Sequence, residues 1–155
     1  MEKPLRLYWI ANSGVLICAF LLYLPSIGFD FLHFDDITYI QSNPMVTSGI
    51  SWEGLRWAFS SLDLNQWMPV TMLSLMFDAE LFGVESASGW HLVNVLLHVL
   101  NCLLLLWALR GLLLLQWQRL FVTALFALHP MHIEVVAWVV ERKELLAMTF
   151  GLLSW

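Results

Sequence analysis

Basic residues are scarce in this chain: seven lysines and arginines among 155 residues, set against twelve aspartates and glutamates, for a net charge of −5. They form no cluster of the kind that neutralises a row of phosphates, which excludes a nucleic-acid-binding role. Charge of either sign is thin, at 12%, where a soluble domain carries roughly 25%. Cysteine is nearly absent. Cys18 and Cys102 both fall inside apolar runs, so they are expected to pack as small apolar residues and say nothing about redox compartment. The chain has no internal repeat and no low-complexity stretch, and no small-residue cleavage site follows its first apolar run, so that run reads as an uncleaved signal anchor.

What is present is apolar. Hydrophobic residues make up 60% of the chain, with nine tryptophans and ten phenylalanines and a mean hydropathy of +0.75. This composition fits an all-α, polytopic membrane protein whose aromatic rings mark interfacial depth. Crossings are expected at about 7–27, 91–109 and 112–128, with an incomplete one from 144. The third is short for a full span, and the last has too few residues to cross back, so the sequence reads as truncated. Residues 28–90 carry eight acidic residues and a single basic one, Arg56, whereas Lys3, Arg6, Arg110 and Arg119 flank the other ends. The positive-inside rule then places the N-terminus in the cytoplasm and the 28–90 loop outside it.

That loop has its own patterning. Ile50, Leu55, Ala58, Phe59 and Leu62 recur at helical spacing around Ser51, a suitable N-cap, with Glu53 in the first turn. A helix lying flat in the headgroups is expected there. A second follows, opened by Pro69 and stopped by Gly83.

The chemistry-bearing residues begin with Asp35 and Asp36, adjacent carboxylates just beyond the first apolar run. Beside a membrane such a pair is costly unless it binds a metal, shares a proton or faces water. A solvated acidic loop is the plainer alternative. On the second crossing His91, Asn94, His98 and Asn101 lie on a narrow arc of one helix face, which suits interhelical hydrogen bonding, with His91 nearest the carboxylates. His129, His132 and Glu134, in HPMHIE, are metal-ligand types at close spacing, but Pro130 breaks the helix that would align them. HPMHIE lies within the membrane if the helix kinks and continues, and at the outer interface if it stops at Leu128. Arg142 and Lys143 fall on the outer side in either version. With Arg56 as a third choice, they are the cations available to an anionic group, or else a plain helix flank.

Three ordered blocks, HFDDITYIQSNPMVTSGISWEGLRWAF, GWHLVNVLLHVLN and ALFALHPMHIEVVAWVVERKELLA, resemble the N-terminal membrane part of the transmembrane and tetratricopeptide-repeat O-mannosyltransferases and their bacterial relatives. Through them the chain is similar to the wider class of fold-C glycosyltransferases (GT-C). The resemblance implies transfer of a sugar, mannose in particular, from a polyprenyl- or dolichyl-phosphate carrier to a protein or glycan hydroxyl at the outer membrane face. It implies an acidic pair in the first outer loop, mapping onto Asp35 and Asp36, and makes HPMHIE a corner beside the active cavity. A bacterial inner membrane is favoured over an endoplasmic reticulum.

The chemistry fits that implication. Displacement at an anomeric carbon needs a base for the acceptor hydroxyl, and Asp35 is the choice. Asp36 would orient it, share its proton or help bind magnesium or manganese. Arg142 and Lys143 would neutralise the leaving phosphate. The later helices and repeats of the family are missing, and this much protein does not enclose a cavity for carrier and acceptor, which puts catalysis by this chain alone in doubt. A non-catalytic anchor or assembly module, packing through the polar stripe and the ERKE corner, is the competing class. A proton- or metal-coupled transporter subunit is the third.

Overall fold

The computed structural model describes residues 2–62, 66–112 and 115–155, with side chains from residue 8 onward. Lys3, Arg6 and Asp63, which enter the charge argument, therefore have side chains outside the described residues. Every regular element within them is helical.

The first apolar run forms α1, Glu2–Tyr23, and continues as a 3₁₀ turn over Leu24–Gly28 where Pro25 cannot supply an α-helical N–H. The second forms α5, Ser88–Ala108. Two segments are long and apolar enough to cross a membrane, Tyr8–Gly28 and Ser88–Ala108, with mean hydropathies of 1.9 and 1.8. Only 22% of the first and 44% of the second is buried within the chain. Ile10, Ile17, Leu21 and Leu22 on α1 and Leu96, Leu103 and Trp107 on α5 are about half exposed or more. An apolar surface of that extent needs a covering that water does not provide.

The loop between these helices is folded. A π-helical turn, Ile37–Gln41, leads to α2, Pro44–Thr47, which opens on Asn43, whose side chain accepts the Met45 N–H. The helix α3, Trp52–Ser60, is capped by Ser51, whose hydroxyl accepts the Gly54 N–H at 2.9 Å. The helix α4, Pro69–Phe82, begins at the expected proline and ends at Gly83, which adopts φ 68°, a backbone state that disfavours side chains with a Cβ. These elements enclose a core of Phe31, Tyr39, Ile40, Val46, Leu75, Met76 and Trp90 that also takes in Val139 and Val140 from late in the chain. Residues 28–90 thus cap one end of α5.

The expected helix forms as α3. Gly54 and Ala58 are the buried positions, Gly54 against Met76, whereas Ile50, Trp52, Phe59 and Leu62 are more than half exposed. The small residues make the close helix contact and the large apolar ones point away from the protein.

The third apolar stretch forms α6, Gln116–Leu128, of 13 residues, about 20 Å long at 1.5 Å per residue. It is shorter than the 112–128 expected, residues 113 and 114 lying outside the described set. It stops at Leu128, because His129 takes the extended conformation required before Pro130. A short α7, His132–Ala137, and then α8, Arg142–Leu153, follow. Of the two arrangements open for HPMHIE, the helix that stops at Leu128 is the one adopted. The free thiols diverge: Cys102 is buried with Ala19 and Ala127, and Cys18 is exposed on α1.

Candidate functional site

The candidate site lies where the start of the 28–90 segment meets the corner between α7 and α8. Asp36 is fully buried. Its Oδ2 accepts the Leu32 N–H at 2.9 Å, tightening its own turn, and its Oδ1 accepts the Val140 N–H at 3.1 Å. The second bond joins segments 104 residues apart in sequence. Burial raises the Asp36 carboxyl above its ordinary 3.8, and the neighbouring Asp35 adds to that, while the Leu32 and Val140 N–H donors oppose it. Asp36 therefore fastens the loop to the corner.

Asp35 is half-buried, and its carboxylate makes no hydrogen bond among the described residues. It lies within electrostatic reach of Lys143, the second residue of α8. The Lys143 ammonium donates to Glu141 at 2.8 Å and is one-quarter exposed. Burial works to lower its pKa, but the Glu141, Glu144 and Asp35 carboxylates together raise it above the ordinary 10.5. Lys143 is a stable cation at neutral pH. Phe34, exposed, leans on Trp138 with ring centroids 6.1 Å apart, walling the same surface.

Arg142 and Lys143 are adjacent in sequence but face different ways. Arg142 is fully buried and forms an ion pair with Asp78 of α4 at 2.5 Å. Its Nε donates to Asn94 at 2.7 Å, one terminal nitrogen to Ser74 Oγ at 3.0 Å and the other to the Trp90 carbonyl at 3.0 Å. Its donors are spent on α4 and α5, so it holds the two together and is not available to an external anion. Burial raises the Asp78 carboxyl and lowers the Arg142 guanidinium, each partly restored by the other. Asp78 entered the sequence reading only as one of the eight acidic residues of 28–90, and Ser74 not at all, although a carboxylate inside the apolar run of α4 signals a buried partner.

The polar stripe of α5 is turned wholly inward. Asn94 donates to the Trp138 carbonyl at 3.0 Å, a His98 ring nitrogen lies 3.1 Å from the Ala127 carbonyl, and Asn101 donates to the Leu145 carbonyl at 2.9 Å while accepting from Thr149. His91 is also buried, edge-on to Phe29. These side chains bind α5 to α6, α7 and α8.

The remaining expected residues do not converge. His129 is exposed, with Nδ1 accepting the Met131 N–H; His132 packs between Phe126 and His98; Glu134 is exposed. Arg56 stacks over Trp52 on α3. No grouping of three or more His, Cys, Asp or Glu side chains that could hold a metal ion occurs among the described residues. Both Asp36 oxygens already accept backbone N–H groups, so the residues around it do not fit magnesium or manganese.

Comparison with known proteins places this geometry in a family context. The chain is 36% identical over 144 residues to protein O-mannosyl-transferase Tmtc2 of Drosophila melanogaster, a match covering 88% of this chain and 15% of that protein. It is 34% identical to mouse protein O-mannosyl-transferase TMTC1, over 86% of this chain and 15% of that protein. With mouse TMTC4 it is 33% identical over 95% of this chain and 22% of that protein. All three of these relatives are named protein O-mannosyl-transferases. The chain spans only 15–22% of the length of the curated relatives it matches. No protein-family model and no solved structure matches it.

Proposed function

We propose that this chain is part of the membrane-embedded portion of a GT-C-like glycosyltransferase that transfers mannose from a polyprenyl- or dolichyl-phosphate carrier to a protein hydroxyl. It carries one wall of the active site on the extracytoplasmic face. The exposed apolar surfaces of α1 and α5 support membrane residence, and the acidic 28–90 segment supports its placement outside. The observation that carries the reading is the Asp36–Val140 bond, because it brings the free carboxylate of Asp35 and the ammonium of Lys143 to one surface.

Each role follows from position. Asp35 accepts the proton of the acceptor hydroxyl as its oxygen attacks the anomeric carbon. The bond from that carbon to the carrier phosphate breaks, and Lys143 faces the charge left on the departing phosphate. Asp36 and Arg142 act as positioning residues. His91, His129, His132, Glu134 and Arg56 lie outside this arrangement. The assembly-module reading loses its main surface, since the stripe from His91 to Asn101 is buried inside this chain.

The test is Asp35→Asn in a complete protein, assayed in membranes for mannose transfer from the lipid carrier to an acceptor peptide. A loss of about 10²- to 10⁴-fold is expected. Transfer at the normal rate would remove Asp35 as the base and reopen the non-catalytic reading.

A further inference from the structure

The end of the bundle opposite the acidic pair carries a second site. A groove of about 580 Å³ runs between α1, the last turns of α5 and Leu153 of α8, within the ~300–1,000 Å³ typical of small-ligand sites. Its walls are aliphatic, from Leu16, Leu103, Leu104 and Leu106, and its polar groups are Asn12, Ser13 and Arg110.

Arg110 is exposed, with its guanidinium 5.8 Å from the centre of the Trp9 ring, and it pairs with no carboxylate among the described residues. Asn12 is only 6% exposed, and its Oδ1 has no hydrogen-bond partner among the described residues. Arg119 repeats the motif nearby, its guanidinium 5.9 Å from the centre of the Tyr8 ring. Trp9, Trp107, Trp117 and Trp155 cluster at this end, each more than half exposed. Tryptophans and unpaired arginines at the end of apolar helices mark headgroup depth.

We infer that this groove binds one anionic glycerophospholipid from the leaflet opposite the acidic pair, with an acyl chain along the leucines and the phosphate on Arg110. The charge decides the occupant. A further apolar helix would cover the leucines but leave the guanidinium without a counter-ion, whereas a lipid phosphate satisfies both. A zwitterionic lipid brings its own cation to compete with Arg110. The inference rests on membrane residence and not on glycosyl transfer.

Flotation of the chain with phosphatidylcholine vesicles tests residence first. Native mass spectrometry of the purified chain, titrated separately with phosphatidylglycerol and phosphatidylcholine, then tests the site. One phosphatidylglycerol is expected to be retained in preference, with about fivefold weaker retention in Arg110→Gln and none in Leu104→Trp, which fills the groove and keeps the arginine. Arg56→Gln, on the outer cap, is expected to retain lipid like the parent. Equal retention of both lipids, or parental retention in both groove variants, overturns the site while leaving membrane residence intact. Failure to float overturns both.

Discussion

The backbone N–H of Val140 is held by the carboxylate of Asp36 at 3.1 Å, and both residues are fully buried. One hydrogen bond thus sets the distance between a segment that comes early in the sequence and a corner that comes late. The adjacent residue on the loop, Asp35, and the charged corner residue Lys143 inherit their relative placement from it.

Asp36→Ala removes two hydrogen bonds and leaves the Leu32 and Val140 N–H donors without their acceptor. A loss of about 3 kcal/mol is expected, read as a lower unfolding midpoint in detergent. Asp36→Asn keeps an acceptor and is expected to cost less. The pH dependence follows from the raised carboxyl pKa. A folded-state pKa above the ordinary value favours the protonated form, so this contribution is complete below pH 3.8 and is lost as pH rises through the folded pKa. Unfolding midpoints measured from pH 3.8 toward neutrality should show this fall in the parent, and a smaller one in Asp36→Asn.

Arg142→Met leaves Asp78 as a buried charge without its partner and deprives Asn94, Ser74 and the Trp90 carbonyl of their donor. Such breakages cost about 3–5 kcal/mol, measurable by chemical denaturation or by loss of folded protein in membranes. Replacing both charges, as Asp78→Leu with Arg142→Met, is expected to recover part of that loss, because no uncompensated ion remains. A double variant no more stable than Arg142→Met would show that the pair's other hydrogen bonds outweigh its charge.

Gly83 ends α4 at φ 68° with open space around the position of a Cβ. Gly83→Ala should therefore cost about 1–2 kcal/mol from backbone strain alone, with no steric clash. Thermal unfolding of the variant checks this, and a neutral result would show that the turn relaxes.

The local signals in the sequence translate directly into structure. Ser51, Pro69 and Gly83 act at the helix ends where their chemistry places them, and Pro130 ends α6 by constraining His129. The 3-4-3 spacing of the α5 stripe also predicts its common face, since helical geometry fixes direction within one element. Direction between elements is another matter. Arg142 and Lys143 look equivalent in ERKE, and only the arrival of Asp78 and Ser74, more than sixty residues earlier, turns one inward and leaves the other at the surface. Asp35 and Asp36 are separated in the same way by Val140.

Lys143 gives the sharpest functional expectation, because it bears the charge proposed to meet the leaving phosphate without contributing to the buried network. Lys143→Gln removes an ion pair that is one-quarter exposed on the lysine side, so stability should change by less than about 0.5 kcal/mol. Transfer from the lipid carrier should nevertheless fall about 10²-fold, as when one preorganised donor to a developing anion is lost. Lys143→Arg, which keeps the charge but alters its reach, should retain more activity than Lys143→Gln. The raised pKa of Lys143 means that its charge persists through the neutral range and is lost only above pH 10.5, so no change in rate near neutrality should trace to it. Parallel assays of stability and transfer on the same membrane preparations separate this role from that of Arg142, whose replacement should lower both together. If Lys143→Gln transferred mannose normally while remaining folded, the cation facing the phosphate would have to come from another part of the complete protein.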